Sequence, residues 1–332
     1  MMTNVKSMFV DEIYRDGTIR VVSRYQRTNN RTELDYLHAT MKGLVVIYGT
    51  ILASRFRHAV DIVTDMAQLK RGYYVNRYLA FCYDNRDIIG VCSYQVFGDP
   101  RDISLDFIGG SDKAKAILLQ GITSDKFKRR FVFVANCDKL LMSLMESTIP
   151  SVFVFGDTVA AINRTLSKSG DLTSYHVTNS KEDGVLYHQM NNDLNRIVVS
   201  FDNDSCGGGF ITSVSDYDID KEPIWFVRNK DTVVGMYDIG VKGDIAYIGI
   251  YVRPEYRHHH LGILIYRLIA DTIMALNKDV TTADKIVGVV HTVSAKNIPS
   301  VKLAKRVYGS PIATTFIESL MQSIASIPQS KQ

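Results

Sequence analysis

The stretch YVRPEYRHHHLGILIYRLIADTI, residues 251–273, is the part of the sequence from which the fold is predicted. It begins as the end of an apolar, strand-like run that stops at Pro254. Proline has no N–H to donate to a β-ladder, so it marks the end of the strand. A short polar segment follows, and then an apolar run with helical character. The pattern therefore predicts a strand, a loop and a helix in this order.

The predicted loop has the features of an anion-binding site. The N-terminus of a helix carries unpaired backbone N–H groups and the positive end of the helix dipole, which suit phosphate. Gly262 has no side chain, so a ligand could approach the backbone closely there. The three consecutive histidines before Gly262 suggest a metal site at first, but metal-binding histidines on a helix are spaced i, i+4. We therefore expect no metal site, and predict that these histidines are exposed loop residues or neighbours of a bound phosphate.

An internal repeat surrounds this motif. Residues 77–97 and 222–241 each consist of two β-rich runs around a polar turn, which is typical of a hairpin. Gly90 and Gly235 are 145 residues apart, and the same offset brings Phe81 onto Phe226. Two α/β segments can be brought into register by chance, so the alternative of unrelated segments stays open. The order of strands and helices predicts a tandem α/β chain with an α+β mixed sheet flanked by helices.

The chain of 332 residues predicts two domains at about 150 residues each. We place a first domain at 1–155, a linker helix at 156–171 and a second domain at 172–332. Residues 157–170 read as a helix that begins at an Asp cap and ends at Gly170. Near the C-terminus, residues 316–327 read as a helix at least as well as a strand.

Composition limits the class of protein. The chain is 46% hydrophobic and 22% charged with a net charge of +4, which is typical of a globular protein and too weakly basic to indicate nucleic acid. We find neither an apolar run of membrane-spanning length nor a signal sequence, and expect no membrane partner. The four cysteines form no CxxC pair. We expect a cytoplasmic protein, and an oligomer stays open.

The loop VRPEYRHHHLG, residues 252–262, resembles the acyl-coenzyme A loop of the GNAT superfamily of N-acetyltransferases. Val252, Pro254, Arg257 and Gly262 match the pattern V-x-P-x-x-[RQ]-x-x-G-x-[GA]. His260 departs from it, because it stands where the first glycine is usual. A residue with a side chain there narrows the allowed backbone conformations without removing the N–H groups that bind phosphate.

A second segment, residues 295–311, resembles the part of the same family that follows the fifth strand. Asn297, Ser300 and Leu303 match, whereas Ala304 stands where the family often has tyrosine. The resemblance covers about residues 172–320. In the first copy, residues 107–116 occupy the loop position without an arginine, so the resemblance implies a degenerate copy that has lost the cofactor site.

The resemblance implies a tandem acyl-CoA N-acyltransferase (GNAT-like) fold with acetyl-CoA as co-substrate, bound between the fourth and fifth strands of the second copy. Backbone groups of Ile250, Tyr251 and Val252 would bind the pantetheine arm. Asn297 and Ser300 would line the far side. N–H groups of the loop would bind the pyrophosphate, and this set comprises Arg257, His258, His259, His260, Leu261 and Gly262.

The reaction that the resemblance implies is attack of an amine on the thioester, which needs a base and a donor near the thiolate. His291 has the intrinsic pKa of a base, but a hydrogen-bonded structural role is the alternative. Tyr247 and Asp244 are further candidates on the fourth strand. Tyr308 lies one helical turn after Ala304 and is the candidate acid, with packing as the alternative.

The expected function is therefore N-acyl transfer, namely acetyl from acetyl-CoA to an amine of a small molecule or a protein. One alternative is a non-catalytic interaction or structural protein that reuses the fold, because the family tyrosine is missing and no base is evident. Modification of nucleic acid by the same fold is a third hypothesis, which the slight basic charge does not favour. The acceptor contacts variable parts of the fold and cannot be read from one sequence.

Overall fold

The computed structural model describes residues 10–25, 28, 30–43, 51–52, 77–97, 102–123, 129–136, 138–146, 148–167, 174–179, 224–257, 260–278, 280–281 and 285–317. Within these ranges, none of the helices combines the length and the apolar character needed to cross a membrane. The chain divides into two compact units. Unit 1 comprises the described residues of Met1–Ser151 and Ile312–Gln332, and unit 2 comprises those of Val152–Pro311.

Among its described residues, unit 1 contains seven strands and three helices longer than one turn. The strands are β1 Val10–Asp16, β2 Ile19–Tyr25, β3 Arg77–Asp84, β4 Asp87–Phe97, β5 Asp102–Gly110, β6 Arg129–Ala135 and β13 Ala313–Ile317. The helices are α1 at 31–43, α2 Asp112–Ile122 and α3 Lys139–Leu144. The strands follow the order β1-β2-β3-β4-β5-β6-β13, and only β5 and β6 are parallel.

Unit 2 repeats this arrangement. Its strands are β7 Pro150–Thr158, β8 Tyr175–Asn179, β9 Ile224–Asn229, β10 Thr232–Lys242, β11 Ile245–Val252 and β12 Gly288–Ser294. Its helices are α4 Val159–Leu166, α5 Leu261–Leu276 and α6 Ile298–Tyr308, and a 3-10 turn spans Pro254–Tyr256. The strand order is β8-β9-β10-β11-β12-β7, and only β11 and β12 are parallel.

Each unit has an apolar core between one face of its sheet and the helices on that face, which are α2 and α3 in unit 1 and α4, α5 and α6 in unit 2. In unit 1, Val21 of β2 and Cys82 of β3 pack with Leu118 of α2. In unit 2, Ile248 of β11 and Val289 of β12 pack with Ile265 of α5. Side chains alternate between the two faces of a strand, so these buried positions identify the face that carries the helices.

Irregularities at equivalent positions confirm the repeat. In unit 1 the register of β3 and β4 shifts at Ile89, and in unit 2 the register of β9 and β10 shifts at Val234, again 145 residues later. Asn85 and Lys230, in the two hairpin turns, have φ values of 53° and 51°. β-bulges and left-handed turn residues are specific local features, so their coincidence supports a true structural repeat.

The division into contiguous domains is corrected by the strand pairing. Residues 313–317 pair with β6 and belong to unit 1, whereas 150–158 pair with β12 of unit 2. The proposed linker helix is α4, which packs in the core of unit 2 through Ile162 and is capped by Thr158 rather than by Asp157. The predicted C-terminal helix is wrong at residues 316 and 317, which lie in β13, and its remainder falls outside the described residues.

Candidate functional site

The two parallel strands of unit 2 separate along their length. β11 and β12 are paired from Ile245 opposite Gly288 to Ile248 opposite His291. β11 then continues to Val252, while the last residues of β12 pair only with β7 on the other side. The part of β11 beyond Ile248 therefore borders an opening in the sheet. This is the place where the resemblance implied a bound pantetheine arm.

Backbone groups of alternate residues of β11 face this opening. The N–H of Arg253 donates to the C=O of Val234 on β10 at 3.0 Å, and hydrogen-bonded pairs of an antiparallel ladder alternate from such a point. By this alternation, Ile250 and Val252 direct their N–H and C=O groups toward the side of β12. Tyr251 directs its backbone groups to β10 instead. An exposed strand edge of this kind can bind an extended ligand as a further strand.

The loop between β11 and α5 ends in an uncapped helix N-terminus. His260 occupies the N-cap position without any side-chain cap bond, and its C=O accepts from the N–H groups of Ile263 and Leu264 at 3.1 and 3.3 Å. The N–H groups of Leu261 and Gly262 precede the first helical bonds and have no acceptor within the helix. The first turn carries no acidic residue. An anion would therefore meet N–H groups and the positive end of the dipole.

His260 has a left-handed backbone conformation, with φ 58° and ψ 8°. Left-handed residues other than glycine are uncommon, although histidine is among the more tolerant types. This conformation is the physical reason for a glycine at this point of the family loop, and the histidine adopts it here. His258 and His259, the other two members of the triplet, lie outside the described residues.

Gly262 has a packing role in the structure. A Cβ atom on Gly262 would lie 2.5 Å from Cδ2 of Leu303 on α6, so the absence of a side chain lets the two helices approach. Close approach of a ligand to this backbone stays a prediction. Gly262 and Leu303, which both match the family pattern, are therefore neighbours in the structure.

Arg257 is held at the start of the loop. Its Nε donates to the C=O of Val252 at 3.2 Å, which attaches the exposed guanidinium to the end of β11. The Tyr251 hydroxyl is buried and has no hydrogen-bond partner among the described residues. Burial raises the pKa of Tyr251, while the positive charge of Arg257 acts to lower it. The cation and the phenol therefore lie side by side at the mouth of the opening.

Asn297 and Ser300 lie at the start of α6. The Asn297 side chain accepts from the N–H of Ser300 at 3.2 Å and is the N-cap of the helix. The structure thus assigns these residues a local capping role. Whether they also line the co-substrate stays a prediction.

His291 and Tyr308, predicted as base and acid, are brought together by a third residue. His291 is 8% exposed, and its Nδ1 bonds the hydroxyl of Tyr266 on α5. The ring centroids of Tyr266 and Tyr308 are 5.5 Å apart in an edge-to-face arrangement. Tyr266 was missed, although a tyrosine within an apolar helical run could have drawn attention to it. Together these three residues form the Tyr–His cluster, next to the last paired residues of β11 and β12.

Burial controls the protonation of this cluster. It lowers the pKa of His291 to about 4, so the imidazole is neutral at neutral pH and is a weak base. It raises the pKa of Tyr308 well above its ordinary value, which keeps the hydroxyl protonated. That hydroxyl is buried without a hydrogen-bond partner among the described residues. Tyr308 is therefore a protonated donor that has no acceptor among the described residues.

Tyr247 is not part of the cluster. Its neighbour Ile248 lies opposite His291 and packs in the helix-side core, so Tyr247 projects from the other face of the sheet. Asp244 lies in the turn before β11, where its C=O accepts from Val287 and Gly288. Ala304, at the family tyrosine position, is fully buried against Phe155. Tyr308 is the tyrosine that this helix contributes to the cluster.

We find no group of three His, Cys, Asp or Glu side chains placed to hold a metal ion within the part of the chain that the structure describes.

No protein-family model and no curated protein sequence matches this chain. Among solved structures, it is similar to a tandem GNAT protein from the clavulanic acid biosynthesis pathway, determined without acetyl-CoA. The TM-score is 0.52 at 8% identity, over 90% of this chain and 97% of that protein. The predicted tandem GNAT-like fold is thereby confirmed. At this identity the similarity concerns the fold.

Two further structures are GNAT-family acetyltransferases. One is a GCN5-related N-acetyltransferase from Kribbella flavida, with a TM-score of 0.47 at 9% identity, over 82% of this chain and 94% of that one. The other is from Colwellia psychrerythraea, with a TM-score of 0.47 at 10% identity, over 89% and 97% of the two chains.

Proposed function

We propose that unit 2 binds an acyl-CoA and transfers its acyl group, acetyl in the simplest case, to an amine. The observation that carries this proposal is the continuity of two features. The edge of β11 at Ile250 and Val252 borders an opening, and the same strand leads through Arg257 to an uncapped helix N-terminus. An extended arm ending in a pyrophosphate is the ligand that suits both.

The residues of this chain would hold the co-substrate in three places. The N–H and C=O groups of Ile250 would pair with the amides of the pantetheine arm. The N–H groups of Leu261 and Gly262 would meet the pyrophosphate, and Arg257 would add a positive charge beside it. His258 to His260 complete the proposed loop. Asn297 and Ser300 would adjoin the arm from the side of α6.

In the reaction, the nitrogen lone pair of the amine forms a bond to the thioester carbon, and the resulting oxyanion is stabilised by a backbone N–H of β11. The nitrogen gives up its proton to a base, the carbonyl re-forms as the C–S bond breaks, and the thiolate leaves. We assign the hydrogen bond to this thiolate to Tyr308, because its hydroxyl is buried, protonated and without a partner among the described residues. Tyr308 is thus the proposed acid.

For the base we carry forward His291 and Tyr247. His291 is neutral at neutral pH but weak, and it is bonded to Tyr266. The variants His291→Ala and Tyr247→Phe separate the two candidates. The base is the residue whose loss lowers turnover while acetyl-CoA affinity is unchanged. If neither variant lowers turnover, both assignments are wrong.

Calorimetric titration with acetyl-CoA tests the binding step. We expect binding by the wild type, and a loss of affinity of about 10-fold or more in Arg257→Glu, because a charge-assisted contact becomes repulsive. Arg164→Glu is the matched control, since Arg164 is exposed near the end of α4 and makes the same charge change. Absence of binding at millimolar acetyl-CoA, or equal effects of the two variants, would contradict the proposal.

A non-catalytic protein with this fold is the second candidate. It is favoured by the buried Ala304 at the family tyrosine position and by the low pKa of His291. Release of free CoA thiol from acetyl-CoA in the presence of a panel of primary amines distinguishes the two. Binding without any amine-dependent thiol release would support the non-catalytic protein.

A further inference from the structure

Unit 1 contains a cavity of about 430 Å³ on its sheet. Three arginines line it, Arg20 and Arg24 on β2 and Arg86 in the turn between β3 and β4. Val22 and Ile88 contribute an apolar part. Cavities of this size accommodate small organic molecules rather than single ions.

The cavity lies on the sheet face opposite α2. Val21 packs with α2 in the core of unit 1, so its neighbours Arg20 and Val22 project from the other face. The start of α1 also lines the cavity through Asn30 and Thr32. The cavity is therefore separate from the junction of β5 and α2, where a degenerate copy of the co-substrate loop would lie.

A buried carboxylate fixes the wall of this cavity. Glu33 of α1 is 0% exposed and accepts from Nη2 of Arg24 at 2.7 Å. The hydroxyls of Thr28 and Tyr83 donate to the same carboxylate. Burial, followed by the bond to Glu33, raises the pKa of Tyr83 to about 12, so this hydroxyl stays a donor. Arg24 and Tyr83 are thus held in place before any ligand arrives.

Tyr83 in turn positions a second arginine. The guanidinium carbon of Arg20 lies over the Tyr83 ring, 4.7 Å from its centroid. A guanidinium stacked in this way keeps its N–H groups in the plane of the group, where they can bind a carboxylate or a phosphate. The contacts form one chain from the buried Glu33 through Tyr83 to Arg20.

The charges of the lining do not cancel. The negative charge of Glu33 compensates Arg24, and Glu12, the acidic residue of the lining, is engaged by Arg15 through two bonds of 2.6 Å. Within the described residues, no carboxylate forms an ion pair with Arg20 or Arg86. Arg20, which Glu12 also attracts, and Arg86 therefore face the cavity with positive charge that a ligand could neutralise.

We propose that unit 1 binds a small organic anion in this cavity, with its phosphate or carboxylate group on Arg20 and Arg86 and its apolar part against Val22 and Ile88. Arg24 limits the ligand from the side of α1. Guanidinium groups bind both kinds of anion through paired N–H donors. This site is independent of the function proposed for unit 2.

The test is calorimetric titration of the full chain with phenyl phosphate and with benzoate, and with benzyl alcohol as the uncharged probe. We expect one of the anions to bind and the alcohol not to bind. Preference for phenyl phosphate or for benzoate identifies the anionic group. The proposal is overturned if neither anion binds at about 10 mM, a range that still detects very weak ligands.

Variants locate the binding. Arg86→Glu and Arg20→Gln should each weaken binding of the anion by about 10-fold or more, since each removes a charge-assisted contact. Lys113→Glu is the matched charge reversal, because Lys113 is an exposed residue of α2 on the opposite face of the sheet. It should leave the affinity for the anion unchanged. Anion binding that persists in Arg257→Glu excludes the loop of unit 2 as its site, and complete loss of binding in that variant would overturn the proposal. Equal losses in Arg86→Glu and Lys113→Glu would overturn the proposal.

Arg24 is left unchanged in this series because its removal would leave the buried Glu33 without its ion pair and would unfold the site. Thermal unfolding of the Arg86→Glu and Arg20→Gln proteins supplies the check on folding. A variant that unfolds as the wild type does but no longer binds the anion supports the site.

Discussion

In unit 1 the chain passes from β5 to α2 through Ser111 alone, whereas in unit 2 residues 253–260 separate β11 from α5. Ser111 accepts from the N–H of Ala114 at 3.2 Å, and Asp112 adds a negative charge to the first turn. In unit 2 the N-cap residue His260 makes no side-chain cap bond, and the first turn has no acid. The helix start of unit 1 is therefore capped by a side chain, whereas that of unit 2 has no side-chain cap from its N-cap residue His260.

The contact between α2 and α3 in unit 1 also differs from the contact between α5 and α6 in unit 2. In unit 1, Lys115 of α2 pairs with Asp138 at the start of α3, with 2.9 Å between Nζ and Oδ2. In unit 2, the first turn of α5 presents Gly262 to Leu303 of α6, without an ion pair between them. An ion pair thus joins the starts of these two helices in unit 1, whereas a close contact without charge joins those of unit 2.

The two units also differ where their parallel strands separate. The last parallel pair of unit 2 is Ile248 and His291, and the equivalent pair of unit 1 is Leu105 and Val132. Val132 is 1% exposed in an apolar core, whereas His291 bonds Tyr266. Of these two equivalent positions, the one in unit 2 therefore carries a titratable residue and the one in unit 1 does not. Three experiments test the comparison, in decreasing order of expected effect.

The largest effect is the pH dependence of stability caused by His291. Its pKa is lowered by burial from 6.5 to about 4. The unfolded state therefore binds the proton at a higher pH than the folded state does. The folded protein keeps its full stability above pH 6.5 and loses stability as the pH falls toward 4. The expected loss at pH 4.5 is about 2 to 3 kcal/mol. Urea unfolding of unit 2, followed through Trp225 between pH 7.5 and 4.5, measures it.

The control for this prediction is the double variant His291→Val with Tyr266→Phe. It introduces the type of residue found in unit 1, and the phenylalanine avoids leaving the Tyr266 hydroxyl without its partner His291. Its stability should fall less with pH than that of the wild type, by about the amount attributed to His291. The same pH dependence in both proteins would show that His291 is not the group responsible.

A smaller effect is expected at His260. Glycine should relieve the left-handed strain at the cost of some unfolded-state entropy, with a net gain of about 0.5 to 1 kcal/mol and no loss of acetyl-CoA affinity. Valine is β-branched and should cost about 1 to 2 kcal/mol and weaken binding. Urea unfolding and calorimetry of His260→Gly and His260→Val measure both quantities. A destabilised glycine variant would contradict the left-handed conformation.

The smallest effect is expected at Ser111. Ser111→Ala removes the N-cap bond of α2 and should destabilise unit 1 by about 1 kcal/mol. Affinity for acetyl-CoA should not change, because the co-substrate is assigned to unit 2. Ser143→Ala, at an exposed position of α3, is the matched control and should have little effect on stability. Weaker acetyl-CoA binding in Ser111→Ala would show that the junction of unit 1 is not self-contained.

The repeat and the strand–loop–helix motif could be predicted because they depend on local signals. Gly90 and Gly235 each follow a bulge residue at the same offset, and Phe81 and Phe226 are both fully buried. Asp138 caps α3 as Asn297 caps α6, so an N-cap residue also recurs at this point of both units.

The candidate site could be predicted only in part. The loop, Arg257 and the unusual His260 follow from a contiguous motif, and the structure supplies the left-handed conformation that explains the motif. Tyr266 was missed because its bond to His291 joins residues on different elements. The face on which Tyr247 projects depends on the register of β11 with β12, which a single strand does not reveal.

By itself, the sequence determined the local elements: alternation and turn residues specify the hairpins, and Pro254 with the apolar run after it specifies the end of β11 and the start of α5. Only the tertiary structure decided that residues 150–158 complete unit 2 and 313–317 complete unit 1. It also decided that the hydroxyl of Tyr83 donates to the carboxylate of Glu33 in the wall of the cavity of unit 1. These contacts join residues far apart in the chain, and their stability comes from packing and burial that no local pattern encodes.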